Sequence, residues 1–318
     1  MSVLIRAHDV PAAGRADYWE QANQGLPFPL AGRLTEGPDF RAWLLIGELG
    51  PVHVTAGALP AGECTRTRRL IHRTDPDLYR VDLPVRGEVV IEQDGRQARL
   101  APGDLGLVDP TRPAWYRHRA VRYVGLTFPR ALLGLPAGTL AGLAAARVPG
   151  DRGTAALLGS LARQLPRHLD QVDPAEGARL GTAVIDLLAT TLAARVGHRP
   201  DPATGAPRRA LLTRIYAYIE RRLADPGLSP GEIAAAHHIS VRYLHLLFEP
   251  EPATVAGWIR RRRLERCRRD LRDPAYADRP VSAIAAHWGF TSPAHFSRAY
   301  RDAYGVPPAQ DRAPATLR

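Results

Sequence analysis

The residues of this sequence best suited to chemistry are the arginines of the segment WIRRRRLERCRRDLRD, residues 258–273, where eight of sixteen positions are arginine. A guanidinium group binds phosphate through parallel hydrogen bonds, so one interpretation is contact with a nucleic acid. The other is a solvated helix face whose arginines pair with acids, such as Arg269 with Glu265, and cover the core with their stems. The second is preferred for most of them, because a helix buried along one side presents few side chains to DNA.

The composition limits what arginine content alone can mean. All 43 basic residues are arginine, and Ala, Gly and Pro are abundant, which indicates a GC-rich coding bias. The distribution of charge is more informative: residues 208–318 hold 19 arginines against 11 acids, a net charge of +8, whereas residues 1–207 hold 24 against 21, a net charge of +3. We therefore expect an anionic partner for the C-terminal third, either a nucleic acid or an acidic membrane surface.

The cysteines and the hydropathy pattern narrow the setting. Cys64 and Cys267 are far apart, so neither metal-ligand spacing nor a disulfide framework can be recognised, which is typical of a reducing cytosol. The N-terminus lacks a cleavable apolar segment, and no stretch approaches the roughly 18 apolar residues of a membrane span. We expect a cytoplasmic protein without a membrane segment.

The elements that must position these arginines fall into two groups. After a short helix near residues 11–24, residues 40–128 predict an antiparallel barrel or sandwich of short strands, with a hairpin turn at Asp94-Gly95. From Thr154 onward, apolar spacings of three and four predict two helices. Their apolar faces suit dimerisation or packing on their own barrel. Residues 198–209, rich in Pro and Gly, predict a linker, and everything after it is predicted to be helical.

The sequence LSPGEIAAAHHISVRYLHLLF predicts a helix-turn-helix. Ser229 and Glu232 are suited to a capping box at the first helix, and Ser240 to the cap of a second helix with Leu244 and Leu247 facing inward. Alone, this pattern is more often an ordinary helical hairpin.

The pattern recurs in VSAIAAHWGFTSPAHFSRAY. Ile284-Ala285 correspond to Ile233-Ala234, and Ser292 corresponds to Ser240. Duplication in a basic region favours DNA binding, with the second helix of each copy in the major groove.

The segment VSAIAAHWGFTSPAHFSRAYRDAYGVPPAQDR resembles the signature of AraC/XylS-type transcriptional regulators, and the resemblance covers residues 208–313. In the N-terminal part, PAAGRADYWEQ, DPDLYRVDLPVRGEVVIEQDGR and LAPGDLGLVDPTRPAWY are similar to a cupin-like domain of the same family. The resemblance implies two helix-turn-helix motifs joined by one long helix, after a domain that senses or dimerises. A helix from Thr254 to Arg272 would run roughly 28 Å, near the roughly 34 Å turn of B-DNA.

The resemblance also implies which residues contact DNA. By motif position, Arg242, His245 and Leu246 are the base-contacting candidates of the first helix-turn-helix. Those of the second, from Pro293 onward, are Ala294, His295, Ser297 and Arg298. The phosphate contacts are assigned to Arg260, Arg266, Ser240 and Ser292. Each histidine could equally be solvent-facing, and Arg298 could hold a phosphate without carrying sequence information.

Three departures from the family pattern lie in the first helix-turn-helix. Leu246 replaces a basic or polar residue, so it contacts a thymine methyl group or marks fewer DNA contacts. Pro252 stands where glycine is usual, so the preceding helix is expected to end just before Pro250. His238 replaces the turn glycine seen as Gly289, which predicts a strained positive φ or a modified turn.

No catalytic or metal-binding arrangement can be recognised in the N-terminal region. His118 lacks the second histidine of a cupin metal site, and His53 and His72 are distant in sequence. No catalytic residue, metal or cofactor is therefore expected.

The sequence predicts an α+β protein. An N-terminal cupin-like antiparallel β-barrel with flanking helices spans residues 1–197 and a linker spans 198–209. An all-α DNA-binding domain spans 210–318, with motifs near 229–249 and 280–303 and a joining helix near 254–272.

The predicted function is sequence-specific transcription regulation in bacteria. The expected partners are double-stranded DNA, a second copy of the chain, a small-molecule effector and RNA polymerase, with a nucleoid-associated location. The alternatives are a cupin-type small-molecule enzyme, which predicts a bound metal, and a non-specific RNA or anionic-surface binder, which predicts indifference to nucleotide sequence.

Overall fold

The computed structural model describes residues 2–312, apart from residues 25, 27, 35–36, 74–77, 136–139, 198–204 and 250–253. The chain divides into two compact units, an N-terminal unit of Met1–Arg214 and a C-terminal unit of Ile215–Arg318. The first seven residues of the predicted linker, 198–204, and Pro252 lie outside the described residues. Residues 205–209, also assigned to the linker, lie in a helix instead.

The N-terminal unit is built from short strands, as the alternating pattern predicts. The strands are β1 (Val3–Arg6), β2 (Ala31–Leu34), β3 (Trp43–Leu49), β4 (Val52–Leu59), β5 (Gly62–Arg66), β6 (Leu78–Arg86), β7 (Val89–Gln93), β8 (Arg96–Leu100), β9 (Leu105–Val108), β10 (Ala114–His118), β11 (Val121–Pro129) and β12 (Arg147–Val148). They form two antiparallel sheets, ordered β1-β3-β4-β11-β6-β9-β12 and β2-β5-β10-β7-β8. The predicted hairpin joins β7 to β8, and Asp94 and Gly95 both have positive φ (52° and 72°), as a type I′ turn requires.

The core of this unit lies between the two sheets. Ile91 and Leu100 from the five-stranded sheet belong to the same buried cluster as Val108 and Val121 from the seven-stranded sheet. A cross-sheet cluster of this kind requires each strand to point alternate side chains inward, which is the pattern that the sequence carries.

Four helices accompany these strands in the described residues: α1 (Arg15–Gln24), α2 (Arg68–Arg73), α3 (Gly153–His168) and α4 (Pro174–Arg195). Asp173 caps α4 through a capping box with Glu176. A side chain at Gly181 would meet the carbonyl oxygen of Leu49 at 2.2 Å, so a glycine is needed where α4 crosses the end of β3. By length and composition α4 could cross a membrane, but half of its apolar window is buried within the protein, as in a core helix.

The C-terminal unit is helical. Its helices are α5 (Gly205–Arg221, which begins before the unit boundary), α6 (Pro230–Ala236), α7 (Val241–Phe248), α8 (Val255–Arg272), α9 (Val281–His287) and α10 (Pro293–Tyr304). The long helix α8 has 18 residues, or about 27 Å, with Thr254 as its N-cap. Its buried residues Leu264, Cys267 and Leu271 join one cluster with Phe296 and Tyr300 of the second motif.

Candidate nucleic-acid interface

The two helix-turn-helix motifs share the same local hydrogen bonds. In the first, the N–H of Ile239 donates to the carbonyl of Ala234 at 3.0 Å. In the second, the N–H of Phe290 donates to the carbonyl of Ala285 at 3.1 Å. The correspondence inferred from the sequence is therefore confirmed at the level of the backbone.

Serine caps place the second helix of each motif. Ser240 Oγ accepts from the N–H of Tyr243 at 3.1 Å, and Ser292 Oγ accepts from the N–H of His295 at 3.3 Å. Each cap uses the serine as an acceptor, which leaves its O–H able to donate to a phosphate oxygen. Ser240 and Ser292 are both exposed.

The first helix of the first motif starts differently from the prediction. Ser229 Oγ accepts from the N–H of Glu232 at 3.3 Å, but the Glu232 carboxylate does not complete a capping box. It accepts a hydrogen bond from the Tyr218 hydroxyl at 3.1 Å and pairs with Arg222 at 2.7 Å. Because these partners belong to another part of the unit, local sequence could not reveal them.

The turn of the first motif has the strained backbone that the sequence predicts. His238 adopts a φ of 54°, where the second motif has Gly289 at 78°. A side chain in this left-handed region is disfavoured by contact with its own backbone. Helix α7 ends at Phe248, before Pro250, as expected.

Most base-contacting candidates are exposed. Those with exposed side chains are Arg242, His245, Leu246, Ala294, His295 and Arg298. Ser297 is half-buried. Opposite them, Leu244, Leu247 and Phe296 are buried, so each second helix presents one face to the core and another to solvent.

Most arginines of α8 make contacts inside the C-terminal unit. Arg262 pairs with Glu220 at 2.5 Å and with Glu265, and Arg266 pairs with Glu220 at 2.9 Å. Glu265 thus pairs with Arg262 rather than with Arg269, so the predicted pair is wrong. The guanidinium of Arg263 donates to the carbonyls of Leu223 at 2.9 Å, Asp225 at 2.5 Å and Gly289 at 3.3 Å.

Three further arginines of this helix follow the same pattern, and Arg261 is half-buried. Arg268 and Arg272 both reach Asp311, at 2.9 and 2.5 Å, and Arg269 lies 3.1 Å from Asp270. Arg260 is exposed. Structural pairing therefore accounts for most of the arginine run, and Arg260 remains the arginine of α8 best placed for a phosphate.

Neither cysteine is suited to nucleophilic chemistry. Burial raises the pKa of the Cys64 thiol to about 12, and burial also raises the pKa of the Cys267 thiol. Both thiols stay protonated at neutral pH, whereas a reactive cysteine needs its thiolate. Among the described residues, no group of three or more His, Cys, Asp or Glu side chains is placed to hold a metal ion.

A charged pair lies inside the N-terminal unit. Arg80 Nε donates to Asp82 Oδ1 at 2.8 Å, and the Arg80 guanidinium lies 5.3 Å from the ring centre of Phe28. The Tyr116 hydroxyl donates to Asp82 Oδ2 at 3.4 Å. Burial raises the pKa of Tyr116, so the phenol remains neutral beside the ion pair. None of these residues stands in a recognisable sequence motif, so the group could not be predicted from the sequence.

Two exposed residues of α7 were also missed. Val241 and Tyr243 point to solvent between the named candidates Arg242 and His245. Their exposure was predictable from the sequence, because the inward positions of Leu244 and Leu247 place Val241 and Tyr243 on the outer face of the helix.

The comparisons with known proteins agree with this architecture. Residues 19–193 match the model of the AraC-binding-like domain, and residues 233–313 match that of a helix-turn-helix domain. The chain belongs to the AraC/XylS-type family, and it is a DNA-binding transcription regulator. Transcription regulators of this family are generally not enzymes, and the related regulators imply a cytoplasmic DNA-binding protein.

Particular relatives support the assignment over most of the chain. The transcriptional activator NphR of Rhodococcus sp is 30% identical over 262 residues, covering 81% of this chain and 77% of the relative. An uncharacterized protein in the nit 5′ region of Bacillus sp. (strain OxB-1) is 26% identical over 250 residues, covering 77% and 96%. The crystal structure of the AraC-like transcriptional activator CuxR superposes with a TM-score of 0.55 at 25% identity, covering 83% of this chain and 94% of that structure.

Proposed function

We propose that the C-terminal unit recognises a specific DNA sequence through α7 and α10, and that the chain regulates transcription without catalytic activity of its own. The observation that carries this proposal is the equivalence of two serine-capped helices, each with an exposed outer face, joined through the buried seam of α8. The length of α8, about 27 Å, suits entry of the two helices into successive major grooves on one face of the duplex.

The proposed division of labour separates base contacts from phosphate contacts. The base contacts are Arg242, His245, Leu246, Ala294, His295, Ser297 and Arg298. The phosphate contacts are Ser240, Ser292 and Arg260. Arg260 is preferred over Arg266 because the Glu220 carboxylate already holds the Arg266 guanidinium at 2.9 Å.

The test is selection of bound fragments from genomic DNA by the full chain at physiological salt. A specific duplex should then bind at least about a thousandfold more tightly than its scrambled sequence. Arg242→Ala should weaken the preferred site by about 1–3 kcal/mol and relax one base position, because a bidentate arginine discriminates guanine at about that level. Unchanged base preference in Arg242→Ala would contradict the placement of α7.

The N-terminal unit is proposed to bind a small-molecule effector. The supporting observation is the Arg80–Asp82 pair, since a charged pair buried inside a core is costly and functional sites are enriched in such groups. A panel of small organic acids and phenols should contain a compound that raises the melting temperature of the wild-type chain and not that of Arg80→Gln. If each such compound stabilises both chains equally, the assignment is wrong.

Dimerisation and contact with RNA polymerase complete the proposal. Exposed apolar side chains in the N-terminal unit, Val3 and Leu4 on the edge strand β1 and Leu157 on α3, support a homodimer. Sedimentation of the wild type and of Leu157→Asp would test the homodimer, since a dimer that forms through Leu157 should dissociate in the variant.

Contact with RNA polymerase and a nucleoid-associated location are proposed because NphR and CuxR are named as activators. Transcription in vitro from a promoter that carries the selected site would test the contact.

A further inference from the structure

The outer face of α7 is unusual for the C-terminal unit because it carries three large apolar side chains beside Arg242 and His245. Val241 is 43% exposed, Tyr243 is 40% exposed and Leu246 is 51% exposed. Among the described residues, these are the only large apolar side chains of that unit with such exposure; the others, Val3, Leu4, Leu157 and Val196, all lie in the N-terminal unit. Within the described part of that unit, the exposed large apolar side chains thus all lie on one eight-residue helix.

These side chains are not displaced core residues. The core face of the same helix is already filled by Leu244, Leu247 and Phe248, which are nearly inaccessible. Leu246 lies four positions after Arg242, so the two share one side of the helix. Val241 and His245 have the same spacing. The outer face therefore carries two pairs of neighbouring side chains, Leu246 with Arg242 and Val241 with His245, each with one apolar and one hydrogen-bonding member.

The matched helix of the second motif has a different chemistry. Leu246 corresponds to Arg298, Tyr243 corresponds to His295, and Val241 corresponds to Pro293. At two of these three positions the second helix presents a hydrogen-bonding side chain in place of an apolar one, whereas Pro293 is apolar and Ala294 takes the place of Arg242. Two helices held by the same caps and the same turn hydrogen bonds therefore have different outer faces.

The major groove offers one apolar feature that a side chain can recognise. Thymine presents its C5 methyl group there beside an O4 acceptor, and guanine and adenine present acceptors that an arginine can engage. An apolar side chain one turn from an arginine matches a thymine methyl beside a purine edge. The net charge of +8 carried by residues 208–318 favours an anionic partner such as DNA for this unit over an apolar protein surface.

We propose that Leu246, with Val241 beside it, contacts thymine methyl groups in the half of the operator bound by the first motif, and that the half bound by the second motif is recognised mainly by hydrogen bonds from His295 and Arg298. The operator is therefore chemically asymmetric, with the stronger dependence on thymine methyl groups in the half bound by the first motif. This inference rests on the proposed function, since it concerns how α7 recognises its bases.

The experiment removes the methyl groups while keeping every hydrogen-bonding group of the duplex. The full chain first selects its preferred duplex from a random library. That duplex is then synthesised with deoxyuridine in place of thymidine at single positions, and each dissociation constant is measured at one salt concentration. Wild-type binding should weaken about fourfold for each contacted methyl group in one half-site, as expected for one buried methyl. Substitutions in the other half should weaken binding less, because the base-contacting candidates there offer only the small side chain of Ala294 to a methyl group.

The variants attribute the effect to a side chain. In Leu246→Ala the ratio of the two dissociation constants, uridine over thymidine, should fall to about one at the affected position, because the apolar contact is already gone. The matched control is Arg298→Ala, which should weaken binding while leaving that ratio unchanged. Leu246 is exposed, so the substitution should leave the melting temperature within about 2 °C of wild type.

The outcomes separate this inference from the function it rests on. A chain that prefers no duplex over scrambled DNA overturns both. A preferred duplex without any methyl-sensitive position, or an unchanged uridine-to-thymidine ratio in Leu246→Ala, overturns the inference alone. If the inference alone is overturned, the apolar side chains of α7 would instead contact a protein partner.

Discussion

The Asp311 carboxylate accepts a hydrogen bond from the Arg268 guanidinium at 2.9 Å and so joins the end of the described chain to the middle of α8. The same carboxylate accepts from Arg272 at 2.5 Å and from the Tyr300 hydroxyl at 2.8 Å. Arg268 also lies 4.3 Å from the ring centre of Tyr304. One acidic side chain thus neutralises two arginines of the joining helix, and the segment after α10 is part of the folded unit.

Removing this charge should destabilise the C-terminal unit. Asp311→Asn leaves the buried Arg268 and the half-buried Arg272 without a carboxylate, and breaking a buried ion pair of this kind costs about 3 kcal/mol. Denaturant unfolding followed by circular dichroism would measure the loss. The control is Asp302→Asn, at an exposed position of α10, which should leave the free energy of unfolding unchanged. Equal effects of the two substitutions would show that the cluster adds nothing.

The Asp311 carboxylate should also make the free energy of unfolding depend on pH in the acidic range. Burial alone would raise the pKa of Asp311, but Arg268, Arg272 and the Tyr300 hydroxyl together hold it below the usual 3.8. The stabilisation is therefore complete above the usual pKa and is lost as the pH falls through the lower, folded-state pKa. Between about pH 5 and pH 3, the wild type should lose more free energy of unfolding than Asp311→Asn. Parallel pH profiles for the two chains would contradict this assignment.

Substitutions at the turn residues of the two motifs, His238 and Gly289, should change the free energy of unfolding in opposite directions. His238→Gly should raise the free energy of unfolding by about 1 kcal/mol, because a side chain in the left-handed region costs about that much. Gly289→Ala should lower it, since the new Cβ would lie 2.9 Å from Arg263 Cζ at a φ of 78°. Thermal unfolding of both variants would measure the two signs. A less stable His238→Gly chain would mean that its side chain holds the turn.

The arginines of α8 should separate into two classes. Arg260→Ala should weaken binding to all duplexes alike and reduce the salt dependence by about 0.9 in log–log slope, as expected for one lost phosphate contact. Arg266→Ala should leave that slope unchanged and cost about 2 kcal/mol of stability through the lost Glu220 pair. Salt titrations of binding, together with unfolding curves, distinguish the classes. A reduced slope in Arg266→Ala would show that its guanidinium leaves Glu220 for DNA.

Local patterns in the sequence were sufficient for many of the elements, but not for the start of α5, which lies in the predicted linker. Spacing predicts the strands around Asp94-Gly95, the caps at Ser240 and Ser292 and the buried seam of Leu264, Cys267 and Leu271, because each depends on residues within one hairpin or one helix. The positive φ of His238 was also predictable, since the second copy of the motif shows glycine at that position.

The partners of the charged residues could not be predicted in this way. Glu220 lies 42 residues before Arg262, and Asp311 lies 43 residues after Arg268. Such pairs form only once the helices have packed, and at close range a helical sequence offers competing acids, such as Glu265 and Asp270. The Arg80–Asp82 pair was missed because its interior position depends on how the strands close around it. The outward face of α7 was predictable in position, but its three apolar side chains became significant only when the other described residues of the unit proved to lack large apolar side chains with such exposure.

The buried seam of α8 has a consequence for how the DNA-binding half unfolds. Trp258 near the start of α8 contacts Tyr216, which in turn contacts Phe248 of the first motif, whereas Leu264 and Cys267 further along pack into the second motif. The single helix α8 therefore contributes side chains to the hydrophobic contacts of both motifs. Neither set of contacts can be lost without local unfolding of α8. The two motifs should melt in one cooperative transition, with their slowest-exchanging amides at similar protection. A destabilising substitution in the core beneath either recognition helix would then reduce the folded population of both motifs. A chain with only one folded motif, able to bind only half of its operator, should therefore be rare.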